Sequence, residues 1–409
     1  MSKADPSYCP PPLRALPSER VVHQNVDGIA FHDPLGIAEP SFVPREFLPV
    51  LIRLDGMQSV AAIATAASRE LRLAIRPADV AGLVAHLDER LLLHSERYER
   101  ARDQVLAQWL ATGVREAAHA GSAGYPADAA GLRRELERTL SLCRTRPALT
   151  SVTTGLIAPH IDLLRGQLGY GAAYGHLLAS GPADLYVLFG TGHQGPAGPV
   201  AGLALDWSTP LGTCRTDRAF VAAVHQEVHA PRTEDVLMHR GEHSLEFQVL
   251  WLQFVHEQLR LPPPTVAAFL CGALPSGDGD PTREPWLHRL VASFRAAAAQ
   301  RGGRVLWIAG ADLAHLGPLF DDVEPVDRAR CARLEHDDRG RLVHLTRGDA
   351  GAFHQAIEGP GNDDRVCSAP AITLCALLAE GQASLLHYGQ ALAEDGSQVV
   401  SFCAAAFTQ

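Results

Sequence analysis

The stretch that decides the fold is Leu185-Tyr186-Val187-Leu188-Phe189-Gly190-Thr191-Gly192-His193. Five apolar residues in a row are typical of a strand that is buried on both faces, and the glycines that follow allow a tight turn. Short apolar runs of the same kind recur along the chain from residue 156 onward, at Leu156–Ala158, Val266–Leu270, Val305–Ile308 and Val399–Cys403.

Helical segments separate these runs. They include Leu245–Leu259 and Ala371–Leu378, and a further helix follows Asp128, whose side chain suits an N-cap. Strands that alternate with helices are typical of an α/β domain. We therefore predict an α/β fold with a central mixed or mostly parallel sheet flanked by helices.

Length and composition limit the class of protein. A chain of 409 residues predicts two domains, and a net charge of −10 argues against a nucleic-acid partner. No apolar run reaches the roughly 18–20 residues of a membrane helix, so we expect no membrane partner. The chain starts without the apolar core of a secretory signal, and its eight cysteines include no CxxC pair, so we expect a cytoplasmic protein.

The first part of the chain has a different pattern. Prolines mark residues 1–20 as an irregular tail, and residues 21–98 contain short helical segments, of which Val60–Ala67 is one and a helix that begins at Pro77 is another. Leu91–Leu93 is interpreted as a strand. This pattern predicts a winged-helix-like module, followed by a connector over residues 99–120 and a metal-site domain over residues 121–409.

Histidines and an aspartate follow the predicted strands of the second domain. His160 and His193 each come shortly after an apolar run, and Asp312 and His315 follow Ile308. The carboxyl ends of strands are where ligands bind in open α/β sheets. We therefore expect these side chains to converge at one edge of the sheet.

Cys367 comes just before the predicted helix Ala371–Leu378. A helix N-terminus lowers the pKa of a thiol and favours the thiolate. Two imidazoles and a thiolate form a set that selects iron, copper or zinc over magnesium or calcium, and an open fourth position makes such a site catalytic.

Each of these residues also has a simpler interpretation. A histidine in a loop is commonly exposed, a free cysteine is commonly a small buried residue, and Asp312 could cap a turn. Glu242, His243 and Glu246 could form no more than a capped and salt-linked helix start. Only the convergence of several motifs favours a site.

Taken together, the motifs from about Tyr125 to Phe407 resemble the Memo-like family, known in bacteria as AmmeMemoRadiSam system protein B. The segments that carry the resemblance follow one another in family order: Tyr125-Pro126-Ala127-Asp128, Ala158-Pro159-His160-Ile161-Asp162, Leu188-Phe189-Gly190-Thr191-Gly192-His193, Thr209-Pro210-Leu211-Gly212, Glu242-His243-Ser244-Leu245-Glu246, Ala311-Asp312-Leu313-Ala314-His315 and Cys367-Ser368-Ala369-Pro370.

The Memo-like family is similar in fold to the class III extradiol dioxygenases of the LigB type. The resemblance implies that His160 and His193 are metal ligands and that Cys367 takes the place of the carboxylate ligand of those enzymes. It also implies that His315 is the acid/base histidine and that Asp312 belongs to its motif, while Glu242 and His243 lie near the pocket. The thiolate is soft and can itself be oxidised, which argues against catechol cleavage and for iron or copper redox chemistry.

The N-terminal module resembles the PqqD-like peptide-recognition module in Phe42-Val43-Pro44-Arg45, Leu54-Asp55-Gly56 and Leu87-Asp88-Glu89-Arg90-Leu91-Leu92-Leu93. The resemblance implies a leader peptide that is added to a sheet edge. A packing or interaction module with an unknown partner is the alternative.

Three hypotheses of function follow. The first is a non-haem, dioxygenase-like oxidoreductase that acts on an unknown small molecule or peptide. It would use Fe(II) or copper held by His160, His193 and Cys367. His315, oriented by Asp312 or Glu242, would move a proton. The second is a non-catalytic metal- or peptide-binding protein that works with a radical-SAM or peptide-modifying system. The third is a zinc hydrolase or lyase.

Overall fold

The computed structural model describes residues 5–122, 124–143, 152–193, 195–228 and 230–408. Residues 1–4, the start of the predicted tail, lie outside the described residues. The chain divides into two compact units, of which the first ends at Ala111 and the second begins at Thr112. This division falls inside the segment that we interpreted as a connector.

The first unit is a small antiparallel sheet followed by helices. Its strands pair in the order β1-β2-β3. The bounds of its elements are β1 Ser18–His23, β2 Val26–Phe31, β3 Ser41–Pro44, α1 Leu48–Leu51, α2 Val60–Leu71, α3 Pro77–Glu89 and α4 Glu96–Ala111.

The helices of this unit follow the sequence pattern, whereas its strands do not. Ser59 caps α2 by accepting a hydrogen bond from the N–H of Ala62, and Pro77 is the first residue of α3, as predicted. The prediction of a strand at Leu91–Leu93 was wrong. Leu91 has φ +60°, which breaks an extended backbone, and only Leu93 forms an isolated bridge, with Leu13.

The second unit contains the large sheet. Its strands are β4 Val114–Arg115, β5 Thr153–Ala158, β6 Leu185–Thr191, β7 Val200–Leu203, β8 Asp206–Thr209, β9 Gly212–Thr216, β10 Thr265–Cys271, β11 Val305–Gly310, β12 Asp312–Leu316, β13 Gln382–Leu392 and β14 Val399–Thr408. Its helices are α5 Ala129–Leu142, α6 Gln167–Ser180, α7 Arg218–Glu227, α8 Thr233–Leu237, α9 His243–Gln258, α10 Pro285–Arg301, α11 Arg328–Thr346, α12 Ala350–Glu358 and α13 Ala369–Ala379.

The centre of this sheet is parallel and its margins are mixed. Strands β5, β11, β6 and β10 lie side by side in that order and are parallel, while β14 joins β5 in antiparallel fashion and extends the sheet to β12 and β13. All five apolar runs are strands, and Leu185–Phe189 is fully buried because helices cover both faces. The predicted α/β class is confirmed.

The helices fix where the ends of the strands lie. Helix α13 packs on β5, β6 and β11, and α9 packs on β6, β10 and β11. Asp128 caps α5, as predicted, by accepting a hydrogen bond from the N–H of Gly131 at 2.7 Å. Among the helices that the structure describes, none combines the length and apolarity needed to cross a bilayer.

Candidate metal centre

Three imidazole rings meet at the carboxyl edge of the parallel strands. His160 lies two residues beyond the end of β5, His193 lies two residues beyond the end of β6, and His243 is the first residue of α9. The ring centroid of His160 lies 5.1 Å from that of His193 and 5.3 Å from that of His243. One nitrogen from each ring lies within 4.8 Å of the others, so the three histidines could hold a metal ion.

The buried His160 ring is fixed by the ends of two strands. Its Nδ1 donates to the carbonyl oxygen of Gly310, the last residue of β11, at 2.9 Å. Because a carbonyl only accepts, Nδ1 carries the hydrogen, and the lone pair of the neutral ring lies on Nε2. Nε2 lies 3.5 Å from Sγ of Cys367 and 3.6 Å from Oδ2 of Asp312. The ring therefore presents a metal-binding nitrogen to the centre of the site.

One carboxylate contacts the other two rings. Oε2 of Glu242 accepts from Nδ1 of His193 at 2.9 Å, and Oε1 lies 3.3 Å from Nδ1 of His243. Burial favours the neutral form of Glu242, but the hydrogen bond and charge of His193 prevail and hold the pKa of this carboxyl well below its usual range. Burial and the neighbouring His160 lower the pKa of His243 to about 3, so its ring is neutral at physiological pH.

Glu242 also has the simpler role that the sequence suggested. It is the N-cap of α9 and accepts a hydrogen bond from the N–H of Ser244 at 2.9 Å. The Glu242 carboxylate thus caps the N-terminus of α9 and also contacts two imidazoles of the site.

Cys367 brings a thiol to the same centre. It precedes Ser368, the N-cap residue of α13, as the sequence predicts. Burial opposes the thiolate, but the charge of His160 and the hydrogen bonds of His160 and His193 prevail and lower the pKa of Cys367 to about 6. The hydrogen bonds and charges of Cys367 and Glu242 raise the pKa of His193, although burial lowers it. A thiolate is the form that binds metal.

Ser368 connects the segments that meet here. Its hydroxyl is 2.8 Å from the Thr191 hydroxyl and accepts from the N–H of Asp312 at 3.1 Å. Asp312 in turn accepts from the N–H of His160 at 3.0 Å, and burial raises the pKa of Asp312 to about 6. These bonds connect the end of β6, the start of β12 and the N-terminus of α13 at the site.

His315 faces the same cleft from β12. Its Nδ1 donates to the carbonyl oxygens of Leu313 and Arg365, at 3.1 and 3.2 Å, which leaves Nε2 to face the site. In the part of the chain that the structure describes, the hydrogen bonds of this ring go to carbonyls rather than to Asp312 or Glu242. Burial lowers the pKa of His315, while the charge of Asp312 opposes that effect. Backbone carbonyl groups therefore orient the His315 ring, in place of the Asp312 or Glu242 side chain that we expected.

A cleft of about 400 Å³ opens beside these side chains. Phe247 and Phe320 lie on its wall, and the Phe320 ring meets that of His315 edge-on at 5.1 Å. The other residues that line it and carry polar groups are His119, His160, Asp162, Arg165, His193, His243, Asp312, His315 and Gln398. The cleft leaves room for a small ligand beside the imidazoles.

The family model for Memo-like proteins matches residues 115–406, which is more than half of the chain and includes every residue of this site. The chain belongs to the Memo-like family. The resemblance that the sequence motifs carried is therefore confirmed.

Relatives of this Memo-like chain occur in bacteria and archaea. A MEMO1 family protein of Aquifex aeolicus is 26% identical over 301 residues, 74% of this chain and 75% of the relative. One from Methanopyrus kandleri is 26% identical over 296 residues, 69% of this chain and 95% of the relative. One from Archaeoglobus fulgidus is 31% identical over 185 residues, 44% of this chain and 63% of the relative.

The Memo-like domain contains a supporting residue that the sequence pattern missed. Arg115, in the segment interpreted as a connector, lies in β4, is 1% exposed and forms a buried ion pair with Glu246 of α9. It also donates to the carbonyl oxygen of Glu242 at 2.8 Å. Tyr125 and the N–H of His119 bind the same Glu246 carboxylate, at 2.5 and 3.1 Å. No spacing rule marks Arg115, because a lone arginine in a polar segment is ordinarily exposed.

Two glycines let α9 approach the strands closely. A side chain at Gly310 would meet the carbonyl oxygen of Ser244 at 2.4 Å, and one at Gly190 would meet the Ser244 hydroxyl at 2.6 Å. Real Cβ atoms do not make such contacts. The glycines beside the histidines therefore serve close packing of the helix, which is one of the uses that the sequence suggested.

Proposed function

We propose that this Memo-like protein is a metal-dependent oxidoreductase, dioxygenase-like, that uses iron or copper and acts on a small molecule or peptide. The observation that carries the proposal is the pair of oriented imidazoles of His160 and His193, which line a cleft that also contains His315, together with the thiol of Cys367, whose pKa is lowered and whose Sγ lies 3.5 Å from Nε2 of His160.

The side chains fit such a metal. His160 and His193 each commit Nδ1 to an outer acceptor, which fixes the ring and leaves Nε2 for a ligand bond. Cys367 contributes a soft donor, and this combination suits iron, copper or zinc. A bound redox metal would supply an open position for substrate and exchange electrons with it.

The chain itself would position the substrate and move a proton. His315 Nε2 faces the cleft and, with its lowered pKa, is a base at neutral pH. The phenyl rings of Phe247 and Phe320 make part of the wall apolar, so an apolar part of the substrate would pack against them.

The test is metal content. The full chain would be purified without oxygen, and iron, copper and zinc measured in the wild type, in Cys367→Ala and in the control Cys331→Ala, whose half-buried thiol lies on α11 away from the site. We expect the wild type and the control to bind near-stoichiometric metal and Cys367→Ala to bind less. If the wild type and Cys367→Ala bind equally poorly, the proposal fails.

Two alternatives differ in measurable ways. A zinc hydrolase or lyase would hold zinc and be reactivated by zinc alone, which X-ray fluorescence and metal reconstitution would reveal. A non-catalytic binding protein needs no space beside His160, so the cleft of about 400 Å³ at that residue favours turnover.

For the first unit we propose a separate role, in which its sheet binds an extended peptide by edge addition. The support is that β1 is an edge strand with exposed side chains, among which Val22 is 71% exposed. Val21→Pro in the full chain would remove a backbone donor from β1. We expect the variant to lose binding of a peptide that is encoded beside this gene. If the variant binds that peptide as strongly as the wild type, β1 is not the peptide-binding edge.

A further inference from the structure

We propose that His243 is an alternative third ligand, so that the site offers two overlapping ligand sets that share His160 and His193. One set is completed by the thiolate of Cys367 and the other by the imidazole of His243. This inference rests on the proposed function, since it concerns the same metal.

The position of His243 supports this assignment. Its ring is stacked on that of His193, with centroids 4.9 Å apart and planes 17° apart, and it meets His160 edge-on. One nitrogen from each of the three rings falls within 4.8 Å of the others. Imidazole nitrogens bind a metal ion at about 2.0–2.1 Å, so one ion would bring the three nitrogens to within about 4.2 Å of one another, close to this limit.

The outer contacts of His243 are those of a ligand. Glu242 contacts Nδ1 of His193 through one carboxylate oxygen and Nδ1 of His243 through the other. Metal-bound histidines usually donate their second nitrogen to a carboxylate or carbonyl, which fixes the ring and raises its basicity. Glu242 therefore lies against both rings, with a hydrogen bond to His193, a predicted ligand, and a longer contact with His243.

The location of His243 also places its ring at the site, because it is the first residue of α9 and follows directly on Glu242, the N-cap. The simpler alternative is that His243 only packs against Phe247 and His119, whose centroids lie 5.4 and 5.6 Å away.

The two sets differ in the ions that they favour. The thiolate of Cys367 is soft and favours the cuprous ion, whereas three imidazoles suffice for borderline ions such as Zn²⁺ or Co²⁺. The identity of the metal would thus select the third ligand. Loss of Cys367 should then remove cuprous binding and spare cobalt binding.

The experiment is an anaerobic titration of the metal-free full chain with Co²⁺ alone and, separately, with Cu⁺ alone. It uses the wild type, Cys367→Ser, His243→Gln and the double variant. The matched control is His336→Gln, an exposed histidine on α11. Circular dichroism and thermal unfolding would establish that each variant is folded, and visible absorption would report cobalt coordination, with a sulfur-to-cobalt charge-transfer band as the signature of Cys367.

For cobalt, we expect Cys367→Ser to lose the charge-transfer band and retain affinity within about tenfold, and His243→Gln to retain both. The double variant should lose about 100-fold or more, since even the loss of a residue that supports a ligand costs about 10–100-fold. For Cu⁺, Cys367→Ser should lose binding and His243→Gln should not.

Two outcomes would overturn the inference in different ways. If Cys367→Ser alone abolishes Co²⁺ binding while folded, His243 is not a ligand, and the proposed metal function still stands. If the wild type binds neither ion, the proposed function fails together with the inference.

Discussion

Replacing Arg115 should weaken both the Memo-like domain and its metal site. The Arg115–Glu246 pair is almost fully buried, with side chains 1% and 0% exposed. Arg115→Met would leave the Glu246 carboxylate without its cation in a buried place, and breaking such a pair costs about 3–5 kcal/mol.

The contacts that remain set the expected value within that range. Glu246 would still accept from Tyr125 and from the N–H groups of Ala118 and His119, which favours the lower end. The Arg115 guanidinium also lies 4.9 Å above the Trp207 ring, and that contact would be lost. We expect the free energy of unfolding to fall by about 3 kcal/mol.

Metal affinity should fall with stability. Arg115 holds the carbonyl oxygen of Glu242, the residue that orients His193 and His243. Loosening an orienting residue costs about 10–100-fold in metal affinity. The double variant Arg115→Met, Glu246→Gln removes the unpaired charge but keeps an acceptor for Tyr125, so it should regain most of the lost stability.

The assays are urea unfolding followed by tryptophan fluorescence and, separately, anaerobic metal titration. The decisive comparison is between the single and the double variant. A loss below about 1 kcal/mol in Arg115→Met, within the range of an ordinary surface substitution, would refute the argument that this pair anchors α9. So would a double variant as unstable as the single one.

Three further predictions concern the site and its surroundings. Glu242→Gln should weaken metal binding by about 10–100-fold, measured by competition with a chelator, and unchanged affinity would exclude the orienting role. His315→Gln should leave metal content unchanged and abolish turnover once a substrate is known; loss of metal instead would make His315 a ligand. Arg330, Arg365 and the N–H of Gly317 hold the pKa of Asp322 at about 2 against the effect of burial. Because that pKa is depressed, ionised Asp322 stabilises the fold at pH values above its unfolded pKa of about 4, and this stabilisation is lost as pH falls towards 2. Asp322→Asn should therefore be less stable than the wild type at pH 7, by about 2 kcal/mol. The difference in thermal stability between the wild type and the variant should narrow below about pH 4. A gap that is independent of pH would contradict this prediction.

The sequence predicts the parts of the fold that depend on continuous burial. Leu185–Phe189 is apolar without interruption because both faces of β6 are covered, and His160 and His193 each lie two residues beyond the end of such a strand. His160 and His193 are brought together for that reason, and Cys367 lies where its position before α13 predicted.

The remainder depends on contacts that no local pattern encodes. Five of the six residues of β1 are exposed, so this edge strand of the first unit has no apolar signature. Asp312 and His315 were predicted only to follow the strand that contains Ile308, and the sequence did not predict that they lie on β12, which exists because it pairs with β14 from the far end of the chain. The role of Arg115 depends on Glu246, which is 131 residues away in the sequence.

Gly190 and Gly310, which α9 contacts, limit which parts of this site can change. Since neither Gly190 nor Gly310 can accept a side chain without displacing the helix, the distance between the strand ends and the first turn of α9 is fixed. A change in the ligand that enters the cleft is therefore expected from substitutions of residues that line it, such as Phe247, Phe320 and Arg165. The contacts between the strand ends and α9 would stay the same.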